Sequence, residues 1–150
     1  MQRTLLVALD GGHCARRALV AVADLAKQVG ARVLAVFVVD DSEALLDVAY
    51  IDRDDLLRRM ATYGQCVLDD ASKYLQREGV SHETKLILQP TRKGSVAETL
   101  LKAADAAAAD LIAMGTHGRR GLRRLIMGSV SHELVLQAQV PVLLVRSDGE

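Results

Sequence analysis

Five short runs rich in Val, Leu and Ile recur along the chain: "TLLVAL" (4–9), "ARVLAVFVV" (31–39), "ETKLIL" (83–88), "DLIAM" (110–114) and "PVLLVR" (141–146). Four of them are nearly continuous in apolar residues, the pattern of parallel strands covered on both faces. "ETKLIL" is more amphipathic, which predicts a strand at a sheet edge. Between the runs the apolar period lengthens to that of a helix. Ala15, Ala18, Val22, Leu25 and Val29 line one face of a first helix that ends at Gly30, a residue suited to a helix C-terminus. Leu56, Met60, Tyr63, Val67, Ala71 and Tyr74 line a second, ending near Gly79. A third opens with "SVAE", a capping box in which Ser95 accepts from the amide of Glu98 and Glu98 reaches back. The fourth runs from about Ser129 to Gln137, and Pro141 starts the last strand.

Strict alternation of strand and helix predicts an α/β fold: a parallel sheet with right-handed crossovers and helices on both faces. Residues 40–54, "DDSEALLDVAYIDRD", form the one long connection, acidic and without a clear period, as in a solvated loop or a short extra helix. A length of 150 residues suits a single domain spanning 1–150.

Charge narrows the function. With 19 Lys and Arg against 19 Asp and Glu, the chain lacks the cationic surplus of a general nucleic-acid binder, so any anion site must be local. Aromatic residues are few (Phe37, Tyr50, Tyr63 and Tyr74), which removes the stacking platform of single-strand binders. No apolar run is long enough for a membrane span, and residues 1–9 supply no secretory signal, so a soluble cytoplasmic protein is expected. Cys14 and Cys66 form no CxxC and read as free thiols, and His13, His82 and His132 show no metal-ligand spacing.

The candidate chemistry lies in "MGTHGRRGLRRLIMGSVSHE" (114–133), which holds four glycines, four arginines and no acid before its last position. Ligands of doubly wound sheets bind beyond the carboxyl ends of the strands. This stretch begins at such an end and reaches Gly128 and Ser129 at a helix start, where unpaired amides face outward and glycine lets an oxyanion approach. Singly these glycines read as turn residues, but the combination arises by chance in about one chain of this size in a hundred at average glycine usage. The stretch contains no GxxxxGK[ST], and no GxGxxG follows the first run. A receiver domain would need an acidic pair, an Asp and a Lys at strand ends where this chain has Asp10, "QPTRKG" and Arg146. A flavodoxin-like carrier would want aromatic cover for its flavin. Adenylating enzymes of related architecture carry SGGxDS or HIGH, which "LDGGHCA" only partly echoes.

Gly115-x-x-Gly118, nine residues, then Gly128-Ser129 resembles the ATP-binding signature of the universal stress protein family. The resemblance extends through "LIAMGTHGRRGLRRLIMGSVSHELVLQAQVPVLLVR" and "TLLVALDGGHCARRAL", nearly the whole chain. It implies a doubly wound five-stranded parallel sheet of order 3-2-1-4-5, Rossmann-like and akin to the adenine nucleotide alpha hydrolases. It also implies ATP, carried with Mg²⁺ or Mn²⁺ on its phosphates. By position, Ala8, Leu9 and Asp10 match the first binding segment, Asp10 accepting from ribose or holding the phosphate-bound metal. Val38 matches the backbone reader of adenine, and Met114 and Gly115 flank the ribose. Gly118, Gly128, Ser129 and Val130 would bind phosphates through main-chain amides and the Ser hydroxyl. His117 is a candidate phosphate contact, and Arg119, Arg120, Arg123 and Arg124 are candidate sources of charge beside the polyphosphate. Where the family often has Ser or Thr after the aspartate, this chain has Gly11, Gly12 and His13.

No residue offers itself for orienting a hydrolytic water, so the reading is a nucleotide-dependent switch in a stress response, with at most slow hydrolysis. ATP would order the 115–128 loop for a protein partner to read. The resemblance further implies a homodimer through strand 141–146. The competing reading is a dimeric interaction module, independent of nucleotide, whose glycine loop is structural.

Overall fold

A computed structural model describes residues 2–40, 53–88, 95–117 and 128–146. Among the described residues nine elements alternate: β1 (Thr4–Leu9), α1 (His13–Val29), β2 (Arg32–Val38), α2 (Arg53–Arg77), β3 (His82–Ile87), α3 (Val96–Ala106), β4 (Leu111–Gly115), α4 (Ser129–Gln137) and β5 (Val142–Val145). All strand pairs are parallel and the order is β3-β2-β1-β4-β5. From β1 the chain steps outward to β2 and β3, then returns across the sheet to β4 and β5. Right-handed crossovers therefore place α1 and α2 on one face, α3 and α4 on the other. β1 and β4 flank the switch point, where connections leave in opposite directions and open a crevice.

The period of two along each strand divides the apolar residues between two cores. Leu5, Val7 and Leu9 of β1 join Val33, Ala35 and Phe37 of β2 beneath α1 and α2. Leu6, Leu34, Val36, Ile112 and Met114 form the second core with α3 and Leu134 of α4. "ETKLIL" lies at an edge as expected, with three consecutive exposed positions in β3. β5 is the other edge, and its four apolar residues are only half-buried.

On α1 Ala15, Ala18 and Val22 are buried and Leu25 packs against the core as expected; Val29 departs, at 44% exposed, and Cys14, Leu19, Ala23 and Ala26 widen the buried face. On α2 the buried line is Gly64, Leu68, Ala71 and Leu75, while Met60, Tyr63, Val67 and Tyr74 flank it, half-buried. Gly64 takes the centre because Phe37 fills the space of a side chain there: a Cβ would lie 2.6 Å from its ring. The forward half of the capping box is present, Ser95 Oγ accepting from the Glu98 amide at 3.4 Å. Most of the acidic connection, residues 41–52, lies outside the described residues.

Candidate functional site

The carboxyl edge of the sheet is set by register. β1 pairs with β2 through Leu9↔Phe37 and with β4 through Val7↔Ala113, while Gly115 of β4 lies opposite Val145 of β5. Val38, Ala8 to Asp10, and Met114 to Gly115 thus end three neighbouring strands side by side. Ala8, Val38, Met114 and Val130 all pack into the α3/α4 core and give this edge an apolar floor. Leu9 points to the opposite core, so only its backbone faces the crevice.

After β1 the chain turns on Gly11, whose φ of +85° is left-handed and disfavours any residue with a Cβ. The Asp10 carboxylate accepts from the Gly12 amide at 2.7 Å, an Asx turn that fixes the entry into α1. After β4, Gly115 has a different role. A Cβ there would collide with Cys14 Cβ and come within 2.8 Å of the Cys14 carbonyl carbon and 2.9 Å of the Ala15 nitrogen. Its bareness lets α1 lie against β4.

Thr116 is the hinge pin of the site. Its amide donates to the Val145 carbonyl at 3.0 Å, and its carbonyl accepts from the Gly128 amide at 2.7 Å and from Ser131 Oγ at 3.2 Å. Ser131 Oγ also reaches the Gly128 carbonyl at 2.9 Å. These bonds hold the start of α4 at the end of β4. Gly128 is the N-cap, no side chain caps the helix, and its first turn holds no acid. The amides of Ser129 and Val130 have no intrahelical acceptor, and the helix dipole adds partial positive charge at this end. Ser129 is exposed, with its hydroxyl at the helix entrance. Such an end accepts an anion, phosphate above all.

The geometry reassigns some of the expected contacts. Gly128 was expected to offer its amide to phosphate; in the structure that amide donates to the Thr116 carbonyl at 2.7 Å, and the Ser129 and Val130 amides follow it in the first turn of α4. His117 is only 8% exposed, its Nδ1 3.1 Å from Thr116 Oγ1. The ring is thus packed inside the protein. Gly118 and Arg119, with Arg120, Arg123 and Arg124, lie outside the described residues. Thr116 and Ser131 escaped the sequence reading because a threonine after a strand and a serine in a first helical turn carry no spacing signal. Cys14 is buried and Cys66 exposed. Among the described residues no helix is long and apolar enough to cross a membrane, and no group of three ligating side chains could hold a metal ion.

Residues 1–146 match the universal stress protein family model. A universal stress protein of Thermus aquaticus is 36% identical over 146 residues, covering 97% of this chain and 100% of its own. A solved member of the family from Burkholderia pseudomallei superposes with a TM-score of 0.79 at 35% identity, over 96% of each chain. The universal stress protein of Archaeoglobus fulgidus, solved in complex with dAMP, shares the fold with a TM-score of 0.66 at 21% identity, over 97% of this chain and 98% of its own.

Proposed function

The chain belongs to the universal stress protein family, and on that premise we propose that it binds ATP along the carboxyl edge of β1 and β4 and uses the nucleotide as a switch ligand in a stress response. The observation that carries the reading is the start of α4, a glycine-led and uncapped helix end pinned against β4 by the Thr116 carbonyl. Polyphosphate would lie on the Ser129 and Val130 amides and the Ser129 hydroxyl, with Gly118 and Arg119 contributing from the connecting loop. The base and ribose would lie across Val38, Ala8 and Met114, which already share one apolar surface. A relative of this fold solved with dAMP supports an adenine nucleotide as the ligand class.

A divalent cation, Mg²⁺ or Mn²⁺, would enter on the phosphates and keep most of its waters, as Mg²⁺ does with nucleotides. Asp10 is a carboxylate at this edge, and one of its oxygens accepts from the Gly12 amide. On this reading ATP acts by ordering its surroundings, with at most slow hydrolysis. The ordered loop is the surface a protein partner would read.

The half-buried apolar edge strand β5 favours a homodimer through residues 141–146, since an unpaired edge invites its own copy. That feature alone would also serve a nucleotide-independent module. Adenine nucleotide released on denaturing the purified protein separates the two. Calorimetry with ATP, ADP, AMP and cyclic AMP, with and without Mg²⁺, tests the reading directly. Gly118→Val and Gly128→Val should abolish ATP binding with the fold retained, and equal affinity in wild type and both variants would reject the site.

A further inference from the structure

On the far face of the sheet α1 and α2 lie side by side without close packing of their backbones. Near their C-terminal ends they are joined by the ion pair of Lys27 Nζ and Glu78 Oε1 at 2.6 Å. Between them opens a cleft of about 480 Å³, within the size range of small-molecule sites. Its floor is apolar, made by Leu9, Ala15, Leu19 and Ala71, all buried. Val67, Tyr63 and Tyr74 line it from α2, and Val20, 40% exposed, from α1.

A second depression shares Arg16, Asp70 and Tyr74 with the cleft and adds Lys73, Gln76 and Arg77, so the two form one groove. Among the described residues lining it, its mouth carries Arg16, Lys73 and Arg77 against Asp70, and Asp24, close enough to act on Tyr74, is paired with Lys27. The Arg77 guanidinium lies 6.0 Å from the centroid of the Tyr74 ring, which brings its charge to the lip of the apolar part. The nearby acid Glu78 is held by Lys27.

We infer that this groove is a second ligand site, for an amphipathic monoanion whose apolar body fills the α1/α2 cleft and whose carboxylate or phosphate head meets Arg16, Lys73 and Arg77. A wholly apolar ligand would leave the cations unused, and a compact anion would leave the apolar floor wet; a molecule with both parts satisfies each. The groove is a different site from the nucleotide edge, because it opens on the face opposite the α3/α4 core, although the two adjoin at Leu9 and the turn after it.

Dodecanoate, titrated below its micelle concentration into the full-length protein, is the probe, read by calorimetry and by tyrosine fluorescence, since the chain has no Trp and two of its three tyrosines line the cleft. Saturable one-to-one binding is expected, with amide shifts confined to α1, α2 and the Gly11–Gly12 turn. Arg16→Gln/Lys73→Gln/Arg77→Gln, all exposed positions, should weaken dodecanoate by about tenfold or more and leave 1-dodecanol unaffected. Val67→Trp should abolish binding of both, and Val20→Trp replaces it if its circular dichroism shows a loss of fold. Absence of saturable binding, unchanged affinity in the filled variant, or shifts on α3 and α4 would overturn the inference. So would a filling variant that changed the sedimentation of the unliganded protein, because the cleft would then hold a second copy.

Discussion

Gly115→Ala isolates the contact that seats α1 on β4. Gly115 is not among the glycines with positive φ, so an alanine fits its backbone and its strand conformation. On conformational grounds alone, replacing such a glycine stabilises a protein by about 0.4–1 kcal/mol through the unfolded state. The packing predicts the opposite sign. The new methyl would meet Cys14 Cβ and, more seriously, main-chain atoms at 2.8 and 2.9 Å that cannot rotate away. Forcing one methyl into a closed core costs about 1–3 kcal/mol. At this chain length each kcal/mol lowers Tm by about 2–4 °C, so a fall of about 2–12 °C is expected. Thermal and guanidinium denaturation of wild type and variant measure it. An unchanged or higher Tm would show that α1 has room to move away from β4, and the account of Gly115 would be wrong.

Leu134→Ala, on the buried face of α4 at 0% exposure, should cost about 2–5 kcal/mol in guanidinium unfolding. Asp110→Ala should cost about 1–3 kcal/mol, because Asp110 Oδ2 accepts from the buried Thr4 amide at 2.9 Å, and Asp110→Asn should retain most of the stability. The Lys27–Glu78 pair predicts a pH window. Its hydrogen bond and charge lower the Glu78 pKa from 4.5 and raise that of Lys27 from 10.5. Stability from Glu78 is present above pH 4.5 and lost as pH falls through the lowered value; that from Lys27 is present below 10.5 and lost as pH rises through the raised one. The Tm advantage of wild type over Glu78→Gln should therefore be small, as for exposed pairs, and should close at both extremes; a constant difference from pH 3 to 11 would contradict it.

Much of the fold was legible because buried parallel strands and amphipathic helices write different periods, whereas the strand order was implied by the family resemblance, since alternation and crossover handedness allow several orders. The helix bounds Ser129 to Gln137 and the cap Ser95 were legible for the same reason, local chemistry acting within a few residues. The expected α2 face does pack on the core, but its centre at Gly64 was not legible, because the burial of Gly64 depends on the ring of Phe37 from another element. In the candidate site the glycines marked the place but not their separate roles. Gly115 is bare toward a helix, Gly11 supplies a left-handed turn, and the Gly128 amide bonds Thr116. Those distinctions arise from contacts between segments distant in sequence, which spacing alone does not encode.

The central claim is that a polyphosphate rests on the first turn of α4. A crystal grown in millimolar ATP tests it most directly: phosphate oxygens within hydrogen-bond reach of the Ser129 and Val130 amides are expected, with adenine beside Val38. Density for the nucleotide elsewhere, or that helix end closed by the protein's own side chains, would contradict it.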